Sequence, residues 1–324
     1  MHIPDGFLDT KTVITTAALS GVAVGVSLRT LNRSLPRREV PLMGLAAAFV
    51  FAAQMVNFPV AGGTSGHLMG GVLTAVLLGP PAAIVVMSAV LIVQCFLFAD
   101  GGVLALGANI LNMGVIATVG GFAVYRLVAK IFRGERGRFV GVAVGAWCST
   151  VLAAAVCAGE LAWSGTAPWD AAFTGMVNVH MLIGLGEAVI TVLVLSAIRA
   201  ARPGLFREQR MPQTAHDYLL LVTFGSVAAL GIALFVAPFA SVLPDGLERV
   251  AADLGIAGTA AHPTAVSPMA GYTTPGIRSP VATTALAAAI GTVVVFFLGI
   301  ALARIAVPRR GPRTEETQRG EERA

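Results

Sequence analysis

Residues 81–99 read PAAIVVMSAVLIVQCFLFA, an uninterrupted apolar run whose only strongly polar side chain is Gln94. A helix of about 20 such residues, rising 1.5 Å each, crosses the roughly 30 Å hydrocarbon core of a bilayer. Comparable runs lie on either side of it, at 12–28, 40–58, 67–79, 105–125, 139–161, 171–198, 218–240 and 282–304. The 324 residues are 56% hydrophobic and 12% charged, well outside the mix of soluble domains. The sequence therefore predicts an all-α integral membrane protein of about nine transmembrane helices, seven in a first bundle and two in a C-terminal module. The run at 67–79 is short and closes on Gly79-Pro80-Pro81, so eight full spans plus a re-entrant piece is the alternative.

The positive charges give an independent test, because Lys and Arg are retained on the cytoplasmic side of short loops. Arg29, Arg33, Arg37 and Arg38 fill the first loop, and Arg126, Lys130, Arg133, Arg136 and Arg138 the loop after the fifth run. Arg199, Arg202, Arg207 and Arg210 follow the seventh, and Arg304, Arg309, Arg310, Arg313, Arg319 and Arg323 lie in the tail. All fall on one side, leaving Lys11, Arg249 and Arg278 on the other. The formal charge of +5 thus reports topology and not nucleic-acid binding. The amino terminus is expected outside and the carboxyl terminus in the cytoplasm. The first ten residues carry two acids and no Arg or Lys, unlike a signal peptide, so Met1 is expected to persist in the mature protein.

Residues 1–205 form one expected unit and 206–306 a second, joined by a basic, Pro-containing stretch near 199–217. The second unit flanks an external segment, 241–281, rich in Pro, Gly, Ala and Thr and expected to be short of regular structure. The polar tail 307–324 is expected to be disordered. Cys95, Cys148 and Cys157 all fall inside apolar runs and read as packing residues. Ala17, Gly21 and Gly25 make a small-residue stripe that lets another helix approach closely, from within the chain by default or from a partner subunit.

The chain opens Met1-His2-Ile3-Pro4-Asp5-Gly6-Phe7. A His at position two chelates as an internal His cannot. The α-amine and the His2 amide nitrogen close a five-membered ring on a metal, and that amide with Nδ1 closes a six-membered one. Planar nitrogen coordination suits Ni(II) or Cu(II), which repay the cost of deprotonating the amide. The alternative is a His that follows the initiator Met by chance. Pro4 stiffens the segment, and Asp5-Gly6 favours a turn that folds it back toward the helices. On the same expected side lies His67, in Gly62-Gly63-Thr64-Ser65-Gly66-His67-Leu68-Met69-Gly70-Gly71. Its imidazole could supply a fourth nitrogen, or merely sit at the interface; Thr64 or Ser65 is placed to cap the following helix.

Gln54, Asn57, Gln94, Asn109, Asn112, Asn178, His180 and Glu187 also lie within apolar runs and must face the bundle interior. His180 and Glu187, seven apart, share a helix face and form either a structural pair or an intramembrane ion path. The second option would make the chain a secondary transporter or channel. No GxxxxGK[ST] sequence, serine-nucleophile elbow or HExxH helix is present, so an enzyme is the weaker reading and nucleotide hydrolysis would need other subunits.

Four ordered motifs, MHIPDGFL, GGTSGHLMGG, Phe98–Gly114 (FADGGVLALGANILNMG) and Val179–Ala188 (VHMLIGLGEA), resemble the CbiM/NikM family over residues 1–200. Those proteins are substrate-capture components of energy-coupling-factor importers for cobalt and nickel. Pro244-Asp245-Gly246-Leu247-Glu248 looks like the PDGLE signature of their small two-helix companion, here fused, over about 215–306. The resemblance implies a multi-pass protein of the inner (plasma) membrane that captures Ni2+ or Co2+ as transported substrate, with no resident cofactor. It implies ligation by the Met1 amine, the His2 amide and imidazole and the His67 imidazole. Asp100, Asn109 and Asn112 lie in matching motifs and are candidates for supporting those ligands. The implied partners are a transmembrane coupling subunit and two cytoplasmic ATPases. A Pro-Asp-Gly opening and the fused module lean toward nickel.

Overall fold

The computed structural model describes residues 1–201, 215–261 and 264–307. Most of the expected linker and nearly all of the expected disordered tail lie outside the described residues. The elements are α1 (Thr10–Ser34), α2 (Val40–Gln54), a hairpin of β1 (Phe58–Val60) and β2 (Thr64–Gly66), α3 (Gly71–Leu78) and α4 (Pro80–Phe98). Then come α5 (Leu106–Ile131), α6 (Gly134–Trp163), α7 (Trp169–Ala201), α8 (Ala215–Phe235), α9 (Gly246–Asp253) and α10 (Pro280–Ala306). Among the described residues, seven helices are long and apolar enough to cross a membrane: α1, α4, α5, α6, α7, α8 and α10. The runs at 40–58 and 67–79 instead yield the shorter α2 and α3.

Local chemistry explains both truncations. Beyond α2, Phe58-Pro59-Val60 pairs antiparallel with Thr64-Ser65-Gly66, turning through Gly62 and Gly63 at φ of +88° and +73°. α3 is bounded by Gly70 at φ +80° and by Gly79 at φ +87°, ψ 156°, a region open essentially to glycine alone. Pro80, lacking an N–H, then opens α4 without a break in the chain path. Thr64 and Ser65 do not cap α3 as expected. They sit in β2, Gly70 occupies the cap position, and their hydroxyls donate to the carbonyls of Pro244 and Leu243.

The bundle is inverted relative to a soluble protein. α1 buries Thr12, Thr16, Ser20, Ser27 and Leu31 while exposing Ile14, Leu19, Val22 and Val26, as a lipid-facing helix should. α4 is the central helix, buried along most of its length. α6 runs between α5 and α7, and the backbones of α5 and α6 cross so closely that a Cβ on Gly145 would lie 2.6 Å from the Gly121 carbonyl. Of the small-residue stripe on α1, Ala17 meets Gly107 while remaining exposed, and a Cβ on Gly21 or Gly25 would have no neighbour within 4 Å among the described residues. The default of intramolecular packing fails for those two.

The C-terminal helices are not appended at a distance. α10 packs on α2, where a Cβ on Gly299 would lie 3.2 Å from Gly44 Cα, and Gly291 sits against Phe51 and Phe98. One hydrophobic core includes Met1, Phe51, Phe98, Leu247 and Val295. The segment between α8 and α10 contains the regular α9, held by a capping box in which Asp245 accepts from Leu247 and Glu248 N–H and Glu248 accepts from Asp245 N–H. The expectation of an irregular segment is corrected there: Asp-x-x-Glu ahead of Val250 and Ala251 is enough to nucleate two turns.

Candidate metal centre

The amino terminus is inside the protein. Met1, Ile3, Asp5 and Phe7 are buried, with Ile3 fully so. Asn109 clamps Ile3 from both sides: its Oδ1 accepts from Ile3 N–H at 2.8 Å and its Nδ2 donates to Ile3 O at 3.1 Å. Gly102 N–H donates to the same carbonyl at 2.9 Å. Asp5 takes Leu104 N–H on one oxygen and the Thr264 hydroxyl on the other, and Gly6 makes the turn at φ +92°. Asn109 ends at the start of a π-helical stretch, Ile110–Ile116, which widens α5 where the terminus docks.

A chain of side-chain amides fixes the state of His2. Gln54 donates through Nε2 to Met69 O at 2.8 Å, because a carbonyl can only accept. Its Oε1 therefore accepts from Gln94 Nε2 at 2.7 Å, which turns Gln94 Oε1 toward His2 Nε2 at 3.1 Å. His2 Nε2 must carry a proton and donate it, and Nδ1 is the nitrogen suited to a metal. Nδ1 lies 3.1 Å from Asp100 Oδ1, so ion and carboxylate compete for it. Asp100 is held in turn by the Tyr272 hydroxyl.

His67 shows the complementary pattern. It precedes α3 in the connecting segment, its Nδ1 donates to Leu68 O at 3.1 Å, and Nε2 is left as the ligating nitrogen. The two imidazoles stack with centroids 5.6 Å apart and an angle of 22°. Burial, reinforced by the nearby Met1 ammonium and His2, lowers the His67 pKa to about 4, so its ring is neutral at neutral pH. The Met1 ammonium donates to Asp245 Oδ2 at 2.5 Å. Burial opposes that positive charge, yet Asp245 outweighs it and raises the amine pKa above its usual value. Burial likewise disfavours the Asp245 carboxylate, but the ammonium and the α9 amide groups hold its pKa well below the carboxylate range.

One ligand atom from each of His2, His67 and Asp245 lies within 4.8 Å of the other two. Donors on one ion stand about 4 Å apart when opposite and about 3 Å apart when adjacent, at bonds of ~2.0–2.1 Å, so binding an ion would draw this cluster inward. Beside it is a cavity of about 10 Å³, lined among others by Met1, His67, His180, Ile183 and Asp245. That is room for a single water-sized sphere. A far larger crevice of about 1560 Å³ opens near Glu39, Arg138 and Arg199 and touches none of these residues.

The other expected residues divide. Asn112 faces away from the terminus, donating to Glu160 Oε2 at 2.6 Å. His180 and Glu187 do not pair: His180 Nδ1 donates to Met176 O, and Glu187 accepts from Met69 and Gly70 N–H at 2.5 and 3.1 Å. Glu187 thus pins the stretch that carries His67. Glu187→Ala strands two buried amides, at about 1–3 kcal/mol each, and is expected to lower the unfolding midpoint in detergent clearly. Sequence reasoning missed Asp245 as a site residue, although it stands in the quoted PDGLE motif.

The model of the cobalt uptake substrate-specific transmembrane region, CbiM, matches residues 2–205, well over half of the chain. The chain belongs to the CbiM family. Residues 220–307 of this CbiM-family protein match the PDGLE domain. It is 36% identical over 308 residues to a putative fused nickel transport protein NikMN of Archaeoglobus fulgidus, covering 94% of this chain and 99% of that one. It is 32% identical to the fused nickel transport protein NikMN of Rhodobacter capsulatus, covering 84% and 83%. A solved truncated transition metal transporter aligns with a TM-score of 0.56 at 33% identity, over 62% of this chain and 99% of that chain. This CbiM-family chain is therefore an all-α, multi-pass membrane protein of a nickel and cobalt transport family.

Proposed function

We propose that the protein captures Ni2+ or Co2+ outside the cell and delivers it inward. The ion is held by the Met1 amine, the His2 amide nitrogen, His2 Nδ1 and His67 Nε2. One observation carries this reading: Met1, His2 and His67 meet in a buried pocket although 65 residues separate the two imidazoles. The ring contacts support it: His67 keeps Nε2 free while Nδ1 donates to Leu68 O, and His2 turns Nε2 to Gln94 Oε1, so that Nδ1, set against Asp100, is the nitrogen an ion takes over. Asn109 supports the ligands by holding the backbone one residue on, and Asp100 holds His2 through Nδ1 until the ion takes that nitrogen. The chain catalyses no covalent step. As the sequence carries no nucleotide-binding motif, a transmembrane coupling subunit and two cytoplasmic ATPases of an energy-coupling-factor importer would drive inward release. The names of its fused relatives favour nickel over cobalt. Reconstituted vesicles should take up Ni2+ only with those partners and ATP; uptake by the chain alone, driven by a proton gradient, would instead support a secondary transporter.

Acidity should weaken capture. With the amine pKa raised above 8, a metal must displace its proton throughout pH 5–8, and must displace the His2 amide proton as well. His67, neutral above about pH 4, loses none in this window. Apparent affinity should rise about tenfold per pH unit for each proton displaced. Calorimetric titration with Ni2+ at several pH values measures the slope, and a flat profile from pH 5 to 8 contradicts the amine–amide site.

A further inference from the structure

The fused module reaches the amino terminus through a single carboxylate, and its placement is constrained on three sides. The α9 amides of Leu247 and Glu248 take Asp245 Oδ1, leaving Oδ2 for Met1 N. The preceding carbonyls of Leu243 and Pro244 are tied to Ser65 and Thr64, two residues from His67 at the nearest. Behind it Gly246 abuts the His180 ring, where a Cβ would come 2.6 Å from Cε1. A carboxylate oxygen of Asp245 lies within 4.8 Å of a ring nitrogen of each imidazole.

We propose that Asp245 is a positioning residue of the metal site, supplied by the second module, and that it stays against the Met1 nitrogen when the ion is bound. This rests on the proposed function above. Charge counting supports it. A divalent ion with one deprotonated amide, a neutral amine and two neutral imidazoles leaves one net positive charge in a buried pocket, and an unpaired buried charge is expensive. Asp245 cancels it. It also accepts from the N–H of the coordinated amine, whose hydrogens the metal makes more acidic, so the hydrogen bond tightens on loading and orients the nitrogen lone pair. The first unit alone would then hold an incomplete site.

Loss of a carboxylate that orients a metal ligand typically weakens binding by about 10–100-fold. The test compares Ni2+ titrations and ligand-field absorption of the full chain as wild type, Asp245→Asn, Asp245→Glu and a form with one residue added ahead of Met1. Unfolding midpoints are recorded for each. The expected result is weaker binding by about 10–100-fold in Asp245→Asn, a band moved to lower energy as the amine becomes a poorer donor, and partial recovery of both in Asp245→Glu. A purely structural role would move the midpoint and leave the band of the bound ion in place, which overturns the proposal. So would unchanged affinity in Asp245→Asn while the added residue abolishes binding, and the amine-site reading then stands. Wild-type affinity in the extended chain overturns both.

Discussion

One residue added ahead of Met1 abolishes high-affinity metal capture. The substitution is chemically small, converting an amine to an amide, but it acts at the point where ligand, charge and space coincide. The amine is the donor that closes the five-membered ring, and an amide nitrogen there coordinates only after a second costly deprotonation. The ammonium is the partner of Asp245, and removing one member of a buried ion pair costs about 3–5 kcal/mol because the other charge is left stranded. Met1 is 5% exposed, so the additional residue has nowhere to go without unseating the clamp of Asn109 on Ile3. Together these predict a loss of more than about a hundredfold in affinity, where each factor of ten is 1.4 kcal/mol. Equilibrium dialysis against Ni2+, with any tag kept at the carboxyl end, reads it directly.

The second large effect is expected at a residue that bears no ligand. In Gly102→Ala the new Cβ would lie 2.1 Å from Asp5 Oδ1 and 2.3 Å from Asp5 N. Neither can retreat, since the backbone there is fixed by the bond from Gly102 N–H to Ile3 O and the carboxylate by Leu104 and Thr264. Overpacking of this kind costs about 1–3 kcal/mol in stability. The cost to capture is larger, because the relieving movement is that of residues 1–5, which carry three of the four nitrogens. We expect at least a tenfold weaker Ni2+ affinity, the about 1.4 kcal/mol equivalent of a partly displaced terminus, with a modestly lower unfolding midpoint. Gly25→Ala is the control, since nothing lies within 4 Å of its built Cβ and neither quantity should change.

Much of this was legible because bilayer crossing leaves a local signature. The apolar run at 81–99 became α4 with edges one residue different, and the run at 139–161 lies inside α6. The truncation of 40–58 and 67–79 was half legible. Gly79-Pro80-Pro81 announces a break, whereas the β1–β2 hairpin depends on Ser65 N–H finding Pro244 O across the fold. His2 could be singled out because a second-position His has chelating chemistry no other position has, and His67 because its glycine-rich loop shared the expected side.

What stayed hidden depends on contacts between distant segments. Asp245 is 244 residues from Met1, and no periodicity relates them. Its capping box with Glu248 was readable as a helix start, but nothing local says that its second oxygen faces an ammonium. Gly21 and Gly25 failed for the opposite reason. A small-residue stripe looks identical whether it faces a neighbouring helix or lipid. Asn112 sits in a motif with Asn109, yet the π-helical turns between them send one amide to the terminus and the other to Glu160.

The central claim is that the polypeptide's own first nitrogens hold the ion. X-ray absorption at the nickel edge, on the untagged chain loaded with one equivalent of Ni2+, tests it most directly. The account predicts a planar shell of nitrogen donors with imidazole scattering, lost in His2→Ala. A shell of six oxygen-type donors, or one unchanged in His2→Ala, would contradict it.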